Sequence, residues 1–286
     1  MEIGFIGVGA MGGGLARNLI RADKTVLVFD LNPEVVEKTL VAGNSGRAVE
    51  SLDALSTVDI VFTSLPMPQD LEKVMLGNDG MLSKMKSGAT YIDVSTIDPN
   101  TSRKLSDACE VLGLHFLECP LGKTPMHAEK AEEPIFAGGN KNTFESVKPI
   151  LEIIGSPVYY VGNIEAACAI KLISNLVGMT NVVVIAEAMR IGEKAGINHK
   201  DFLKMMNDTG AKSAQLNLRG PWISEGDFES RFGLDLTVKD LRLGCEMAEQ
   251  WGNDAKTMKV ALDYYKRASA NGLGKEDCNA VYKIIS

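Results

Sequence analysis

The apolar positions in the first half of the chain form short continuous runs separated by segments with a helical period. The runs predict strands, and the segments between them predict helices. The predicted strands are Glu2–Gly9, Thr25–Phe29, Val58–Ser64, Thr90–Val94, His115–Glu118, Pro134–Ala137 and Val158–Val161. Strands that alternate with helices form a parallel sheet with helices packed on its faces. The pattern therefore predicts a doubly wound α/β domain over residues 1–162.

A long segment without strand signals follows, and it predicts one continuous helix from Gly162 to about Lys194. No charge occurs between Lys171 and Glu187, and apolar residues occupy nearly every side of the helical wheel, which predicts a helix buried all round. The uncharged run is shorter than the ~18 apolar residues that a membrane span needs, so we expect no transmembrane helix. The remaining periodicity is helical, which predicts an all-α second domain over residues 163–286, beginning with this helix.

The composition narrows the classes of partner. A net charge of -7 over 286 residues argues against broad binding to nucleic acid or to an anionic membrane. The five cysteines are an odd number without CxxC spacing, which favours free buried thiols in a reducing compartment. The N-terminus has no leader-like pattern, so we expect a cytoplasmic protein. The three histidines lack ligand spacing, so no metal site is expected.

Three glycines at the first strand-to-helix junction have the spacing GxGxxG. Gly7 permits a tight turn, Gly9 lets a pyrophosphate approach the backbone, and Gly12 lets the helix pack closely on the strand. The free N–H groups of the helix N-terminus, which includes Ala10 and Met11, attract an anion. The alternative is a glycine-rich turn without a ligand.

An acidic residue ends the next strand and makes the dinucleotide interpretation stronger. Asp30 lies about twenty residues beyond the glycines, where a carboxylate hydrogen-bonds a ribose 2′-hydroxyl. A carboxylate there also repels a 2′-phosphate, and basic residues lie before it or far beyond it. The sequence therefore predicts that NAD is preferred over NADP.

Candidate ligand-binding residues follow several later strands, at the sheet edge where ligands of such folds bind. Leu65 follows one strand, and Ser95 and Thr96 follow the next as hydroxyl groups facing the crevice. Alternatively, Ser95 and Thr96 cap the helix that begins at Pro99. Substrate-binding residues are also predicted in the loop Gly122-Lys123-Thr124, although a lysine in a loop is more often only solvated.

The long helix carries one polar stripe. Lys171, Ser174, Asn175 and Gly178 are spaced i, i+3, i+4 and i+7, so they lie on one face. Either this face is catalytic, or the lysine extends to water and the asparagine bonds a neighbouring backbone group. Lys239 falls in the first turns of a later helix, against the helix dipole, which indicates an anionic or polar partner.

These segments together resemble the β-hydroxyacid dehydrogenase family. The resemblance rests on GFIGVGAMG, DVSTIDP, the loop after ECP, KLISN and VKDL, which occur in the family's order over essentially the whole chain. It implies a Rossmann domain joined by a long helix to an all-helical domain, and reversible hydride transfer between NAD(P) and a short hydroxy acid.

The resemblance also implies roles for individual residues. Lys171 would be the catalytic lysine and Asn175 would orient the substrate, with Ser174 beside them. Ser95 and Thr96 would lie at the boundary of cofactor and substrate, and Lys239 would reach the nicotinamide side. A homodimer or homotetramer is implied as well.

Three departures from the family pattern affect the expected substrate. Gly122-Lys123-Thr124 replaces the usual Ser-Gly-Gly, and sulfolactaldehyde reductases, with Gly-Arg-Thr there, are the subgroup it most resembles. Ser174 and Gly178 differ from the Asn and Ser of that subgroup. Glu165 and Ala167 replace glycines before the catalytic lysine.

The expected substrate is therefore a short anionic aldehyde or alcohol. Sulfolactaldehyde is first, and 3-hydroxyisobutyrate, tartronate semialdehyde or succinic semialdehyde are the carboxylate alternatives. An imine reductase and a non-catalytic NAD-binding sensor remain as other functions of this fold, although imine reductases generally replace the lysine found at Lys171.

Overall fold

The computed structural model describes residues 1–77 and 79–286. Residue 78 belongs to the loop predicted between Gly77 and Gly80 and lies outside the described residues. The chain divides into two compact units, Met1–Lys171 and Leu172–Ser286. The sequence predicted a division where the long helix begins, whereas the structure divides inside that helix. The physical reason is that Ile164 and Cys168, in its first turns, pack into the core of the first unit.

The first unit is built on a sheet that has eight strands in the described part of the chain, in the order β3-β2-β1-β4-β5-β6-β7-β8. The strands are β1 (Glu2–Ile6), β2 (Thr25–Phe29), β3 (Gly46–Ala48), β4 (Ile60–Thr63), β5 (Thr90–Asp93), β6 (His115–Glu118), β7 (Ile135–Gly139) and β8 (Val158–Gly162). Neighbouring strands are parallel except β6 and β7. The predicted doubly wound α/β sheet is confirmed, although the predicted parallel order fails at this one pair.

Helices cover the sheet of the first unit. They are α1 (Gly12–Arg21), α2 (Pro33–Leu40), α3 (Pro68–Leu76), α4 (Met81–Lys84), α5 (Pro99–Val111), α6 (Pro125–Ala128) and α7 (Lys141–Ile154), with a 3-10 helix at Leu52–Leu55. One apolar cluster joins the sheet to α1 and α7, and another joins it to α3, α4 and α5. The sequence did not predict β3, α4 or α6, because each has only three or four residues and shows no period.

The helix α8 (Ile164–Lys194) is continuous over 31 residues, as predicted. The prediction that it is buried all round is wrong, because Ile173, Val177, Val184 and Ile191 are between 44% and 70% exposed. Its other faces bury Leu172, Leu176, Val182 and Met189. By length and composition alone, α8 is the one helix among the described residues that could cross a membrane, and 44% of its most apolar window is buried. A core helix of a soluble protein passes the same test.

The second unit is helical throughout its described length, which confirms the predicted all-α class. Besides the rest of α8 it contains α9 (His199–Asn207), α10 (Ala214–Glu225), α11 (Leu234–Gln250) and α12 (Lys256–Ala268), followed by a π-helical turn (Ser269–Leu273) and a 3-10 helix (Cys278–Ile284). Asn198 caps α9 by accepting a hydrogen bond from the Asp201 amide, as its position predicted. All five cysteines are buried and free.

Candidate active site

The glycine-rich turn has the geometry that its spacing predicted. Gly7 has φ +86°, and a Cβ there would lie 2.4 Å from the Ser64 carbonyl oxygen. A Cβ on Gly12 would lie 2.1 Å from the Gly7 carbonyl oxygen, whereas a Cβ on Gly9 would meet nothing within 4 Å. Gly7 and Gly12 therefore close the turn, and Gly9 leaves open space. Open backbone beside a helix N-terminus fits a dinucleotide phosphate.

The residues between these glycines lie where they can face that ligand. Ala10 is exposed and Met11 is half-buried. Met11 is the N-cap residue of α1 and forms no side-chain hydrogen bond to the helix. A helix N-terminus without a side-chain cap keeps N–H groups for an external acceptor, because the first four have no partner within the helix.

The Asp30 carboxylate is held in a fixed orientation by two backbone amides. The Val8 amide donates to Oδ2 at 2.8 Å, and the Asn32 amide donates to Oδ1 at 2.9 Å. Each oxygen keeps acceptor capacity, because a carboxylate oxygen accepts more than one hydrogen bond. Asp30 is only half-buried, so a ribose can approach it. This arrangement fits the predicted contact with the ribose hydroxyls.

The two arginines of α1 are occupied elsewhere. Arg17 Nε donates to Glu129 Oε2 at 2.9 Å, and Arg21 also forms an ion pair with Glu129. The buried Asn18 side chain donates to the Ala128 carbonyl oxygen at 2.7 Å. These contacts fasten the segment after the predicted substrate loop to the helix of the glycine-rich turn. They also hold both guanidinium groups away from the role of a 2′-phosphate clamp.

The Ser95 hydroxyl joins the ends of two neighbouring strands. It donates to Asp93 Oδ1 at 2.7 Å and accepts from the Leu65 amide at 2.9 Å. Its single proton is therefore directed into the sheet, and Ser95 is 4% exposed. Thr96 is half-buried. The alternative that Ser95 and Thr96 cap α5 is wrong, because the Asp98 carboxylate accepts the amides at the start of that helix.

The loop Gly122-Lys123-Thr124 has a constrained backbone at its first two residues. A Cβ on Gly122 would lie 2.5 Å from Pro134 Cγ, so the loop closes only with glycine there. Lys123 is exposed with φ +58°, and its Nζ donates to the Glu132 carbonyl oxygen at 2.6 Å. Thr124 Oγ1 lies 2.8 Å from His127 Nδ1. The Lys123 bond uses one of the three N–H groups of the exposed ammonium, so the other two remain for an anion.

A buried carboxyl group lies near Lys123. Glu133 is fully buried, and neither carboxyl oxygen has a hydrogen-bond partner among the described residues. Burial raises the pKa of Glu133 to about 7, and the Lys123 charge opposes that rise. This acid was not predicted from the sequence, because a run of loop glutamates gives no signal that one of them is buried.

The polar stripe of α8 includes a side chain with a specific partner. Asn175 Nδ2 donates to Asp240 Oδ2 at 2.6 Å. Asp240 also forms an ion pair with Lys239, in which Nζ lies 2.9 Å from Oδ1. Both residues are buried, with 7% or less of each exposed. Lys171 is half-buried and Ser174 is exposed. The alternative that Asn175 bonds only a backbone group is wrong, because its partner is the Asp240 side chain.

Asp240 is the site residue that the sequence reasoning missed. From the sequence, Asp240 is only a favourable charge near the start of α11. In the structure, Asp240 is itself the anionic partner expected for Lys239. The approach depends on Gly244, one turn later, where a Cβ would lie 2.7 Å from Leu176 Cδ1. Because α8 and α11 pack this closely, the carboxylate of Asp240 reaches Asn175.

The replacements before Lys171 do not interrupt the helix. Glu165 forms an ion pair with Arg103, and Ala167 is fully buried against Gly138. The helix is continuous from Ile164 through both positions. The backbone path to Lys171 is therefore regular without the family's glycines. The described residues contain no cluster of three or more metal-binding side chains.

Comparison with known proteins agrees with this geometry. Residues 2–162 match the family model described as the NAD binding domain of 6-phosphogluconate dehydrogenase. Residues 166–285 match the model described as NAD-binding of NADP-dependent 3-hydroxyisobutyrate dehydrogenase. The chain belongs to the β-hydroxyacid dehydrogenase family.

Individual relatives match over almost their whole length. The 2-(hydroxymethyl)glutarate dehydrogenase of Eubacterium barkeri is 32% identical over 286 residues, which cover 99% of this chain and 94% of the relative. The L-threonate dehydrogenase of Haemophilus influenzae is 30% identical, with 100% and 95% covered. The crystal structure of 3-hydroxyisobutyrate dehydrogenase from Salmonella typhimurium is 28% identical, with a TM-score of 0.91 and 100% of both chains covered.

These matches select among the functions considered from the sequence. The protein is an NAD(P)-dependent hydroxyacid dehydrogenase. The predicted family and enzyme class are confirmed. None of the relatives named above is a sulfolactaldehyde reductase, so the closer resemblance to that subgroup is not supported.

Proposed function

We propose that the enzyme interconverts a short hydroxy acid that carries a carboxylate and the corresponding aldehyde, with NAD as the preferred cofactor. The observation that carries the proposal is the ordered stripe of α8, in which Asp240 fixes the Asn175 amide one turn from Lys171. An isolated structural lysine has no need of such an arrangement.

Each residue of the stripe has a distinct task. NAD held by the glycine-rich turn and Asp30 would supply the acceptor for the hydride. Lys171 takes the hydroxyl proton, and in the reverse direction it returns that proton to the carbonyl oxygen. Asn175 uses one N–H on Asp240, so its other N–H and its carbonyl oxygen remain to orient the substrate. By the family resemblance, Lys239, which is paired with Asp240, would reach the nicotinamide, and Ser174 would add a hydroxyl beside Lys171.

The named substrates of the relatives favour a carboxylate over a sulfonate as the distal group of the substrate. 2-(Hydroxymethyl)glutarate, L-threonate and 3-hydroxyisobutyrate, which appear in the relatives' names, are all hydroxy carboxylates. Lys123 is also a compact point charge without the planar fork of arginine. A carboxylate therefore has more support than the sulfonate that was first expected.

A substrate panel tests the proposal. The oxidation of short hydroxy carboxylates, and the reduction of carboxylate and sulfonate aldehydes of equal length, are followed by NADH absorbance. We expect the highest kcat/KM for a carboxylate substrate. A higher kcat/KM for sulfolactaldehyde would show that the distal group is a sulfonate. Turnover of imines alone would contradict the proposal.

Lys123→Ala tests the distal anion site. A hydrogen bond to a charged group contributes about 1.5–3 kcal/mol, so we expect kcat/KM for the anionic substrate to fall roughly 10- to 150-fold. An uncharged aldehyde of the same length should change little.

The matched control is Lys130→Ala, which removes an exposed lysine from the same segment. It should leave kcat/KM for both substrates near the wild-type value. An equal loss for charged and uncharged substrates with Lys123→Ala would show that this lysine only maintains the loop.

Asp30→Ser tests the cofactor preference. Because the carboxylate bonds ribose hydroxyls and repels a 2′-phosphate, wild-type kcat/KM should favour NAD over NADP by about tenfold or more, or ~1.4 kcal/mol. The variant should reduce this ratio, measured with both cofactors at saturating substrate. Glu34→Gln, which removes an exposed carboxylate nearby, should preserve the ratio. Equal use of both cofactors by the wild type would refute the prediction.

Assembly and location follow from surface and thiol chemistry. The exposed apolar residues of α8 recur at nearly regular intervals along one side of the helix, which supports a homodimer or homotetramer. The five free, buried thiols support a reducing compartment such as the cytoplasm. The small-molecule substrate needs neither nucleic acid nor a membrane.

A further inference from the structure

Two acidic side chains are fully buried side by side in the sheet beneath Ser95. Asp93 is the last residue of β5, Glu118 is the last residue of β6, and the two are register partners in this parallel pair. Both are 0% exposed. Partners in neighbouring strands point to the same face and lie about 4.8 Å apart at the backbone. Two ionised carboxylates at that separation would repel each other strongly, because little solvent screens them.

The two acids have different hydrogen-bond environments. Asp93 Oδ1 accepts from the hydroxyls of Thr63, at 2.5 Å, and Ser95, at 2.7 Å. Glu118 Oε2 accepts from the Ser102 hydroxyl at 2.7 Å, and Glu118 Oε1 accepts no hydrogen bond from the described residues. The Cys168 thiol is a second, weaker donor to Glu118. A carboxylate stabilised by two hydroxyl donors stays charged more readily than one stabilised by a hydroxyl and a thiol. The asymmetry assigns the charge to Asp93 and the proton to Glu118.

We propose that Glu118 is a neutral, protonated acid in the folded enzyme at neutral pH, and that it keeps Asp93 charged as the positioning residue for Ser95. Asp93 holds the Ser95 hydroxyl, and Ser95 in turn holds the Leu65 amide. The ends of β4 and β5, which carry Leu65 and Thr96 toward the cofactor, are thereby fixed. This last step rests on the proposed function, whereas the protonation of Glu118 does not.

The surrounding groups favour the neutral acid. Tyr91 lies on β5, Cys119 follows β6, Asp98 is the N-cap of α5, Cys109 lies in α5, and Cys168 lies in α8. Burial raises the pKa of all three thiols and of the tyrosine, so these groups are neutral at pH 7, whereas Asp98 adds negative charge. Burial raises the pKa of Glu118 well above its ordinary range, and the Asp93 charge raises it further.

The proton makes stability depend on pH in a defined direction. In the unfolded chain Glu118 ionises near its ordinary pKa of 4.5. Between that value and the raised folded pKa, the folded protein holds a proton that the unfolded chain has lost. Folded stability therefore falls as pH rises through this window. A glutamine at position 118 carries no titrating proton, so it removes this pH dependence.

The first experiment compares Glu118→Gln with the wild-type holoenzyme by thermal unfolding at several pH values. The difference in Tm between variant and wild type should increase by roughly 5–15 °C from about pH 5 to about pH 8. Glu110→Gln, an exposed glutamate on α5, is the matched control and should show no such trend. A Tm difference for Glu118→Gln that does not vary with pH would overturn the proposal.

The second experiment is independent of turnover. Infrared difference spectra should contain the carbonyl band of a protonated carboxylic acid at neutral pH, and Glu118→Gln should remove it. Asp93→Asn should lower the pH at which the band disappears, and Ser102→Ala should raise it. If Glu118→Gln does not fold, these two variants decide the question. A wild-type protein without this band has an ionised Glu118, which contradicts the proposal.

Kinetics then separate positioning from catalysis. In the wild type, KM for NAD should rise toward high pH as Glu118 ionises, and Glu118→Gln should remove this rise while kcat keeps its wild-type pH dependence. If the infrared band is present but KM for NAD is unaffected, Glu118 is protonated and the link to the cofactor fails. The protonation and the proposed function can therefore fail separately.

Discussion

Lys171→Ala should lower kcat by a factor on the order of 10²–10⁴, the usual contribution of a general acid or base. The alkoxide that develops when hydride arrives at the aldehyde carbon would lack its proton donor. The fold should persist, because α8 continues regularly through this position and its apolar faces are unchanged. NAD affinity, measured by fluorescence titration, should stay within a few-fold of wild type, since the glycine-rich turn and Asp30 are untouched.

Two further variants make this test specific. Lys194→Ala removes an exposed lysine from the last turn of the same helix and should leave kcat unchanged. Lys171→Arg keeps the positive charge but holds its proton too tightly to transfer it, so most of the loss should remain. Near-normal turnover with Lys171→Ala, or a collapse of Tm, would instead mean that the lysine is structural.

The sequence predicted the half of the site that depends on local backbone geometry. Glycine at positions 7, 9 and 12 is required or permitted by distances within a single turn, so spacing alone indicates each role. The position of Asp30 is predictable because only one helix and one strand separate it from the glycines. The shared face of Lys171 and Asn175 is predictable because the helical repeat fixes it.

The sequence did not predict contacts made by side chains from distant parts of the chain. Asp240 reaches Asn175 only because Gly244 admits Leu176, and no periodic signal relates the two segments. Glu118 appeared as the polar end of a strand, and its register with Asp93 became visible only in the assembled sheet. The exposure of one side of α8 was missed for a related reason. An uncharged helix indicates that its apolar faces are buried. Composition does not show whether a face packs within its own domain or against another chain.

The second large effect should come from a buried acid in the second unit. Asp277 is fully buried and forms an ion pair with Arg219, which is 3% exposed, at 3.1 Å. Its other oxygen accepts the amides of Arg231, at 3.1 Å, and Phe232, at 2.8 Å. The acid thus joins α10, the segment before α11 and the C-terminal 3-10 helix.

Asp277→Ala should destabilise the second unit by about 3–5 kcal/mol, because it leaves the Arg219 charge buried without a carboxylate and strips backbone amides of their acceptor. For a protein of this size the corresponding decrease in Tm is roughly 6–20 °C. Both tryptophans, Trp222 and Trp251, lie in the second unit, so tryptophan fluorescence reports its unfolding selectively.

The control for this prediction is Asp263→Ala, which removes an exposed aspartate from α12 of the same unit and should shift Tm little. Asp277→Asn should fall between the two, because its carbonyl oxygen still accepts a backbone amide while the buried arginine loses its counter-charge. If Asp277→Ala unfolds at the wild-type temperature by tryptophan fluorescence, water must reach Arg219 and replace the carboxylate. The pair would then contribute to the position of the C-terminal segment without contributing to its stability.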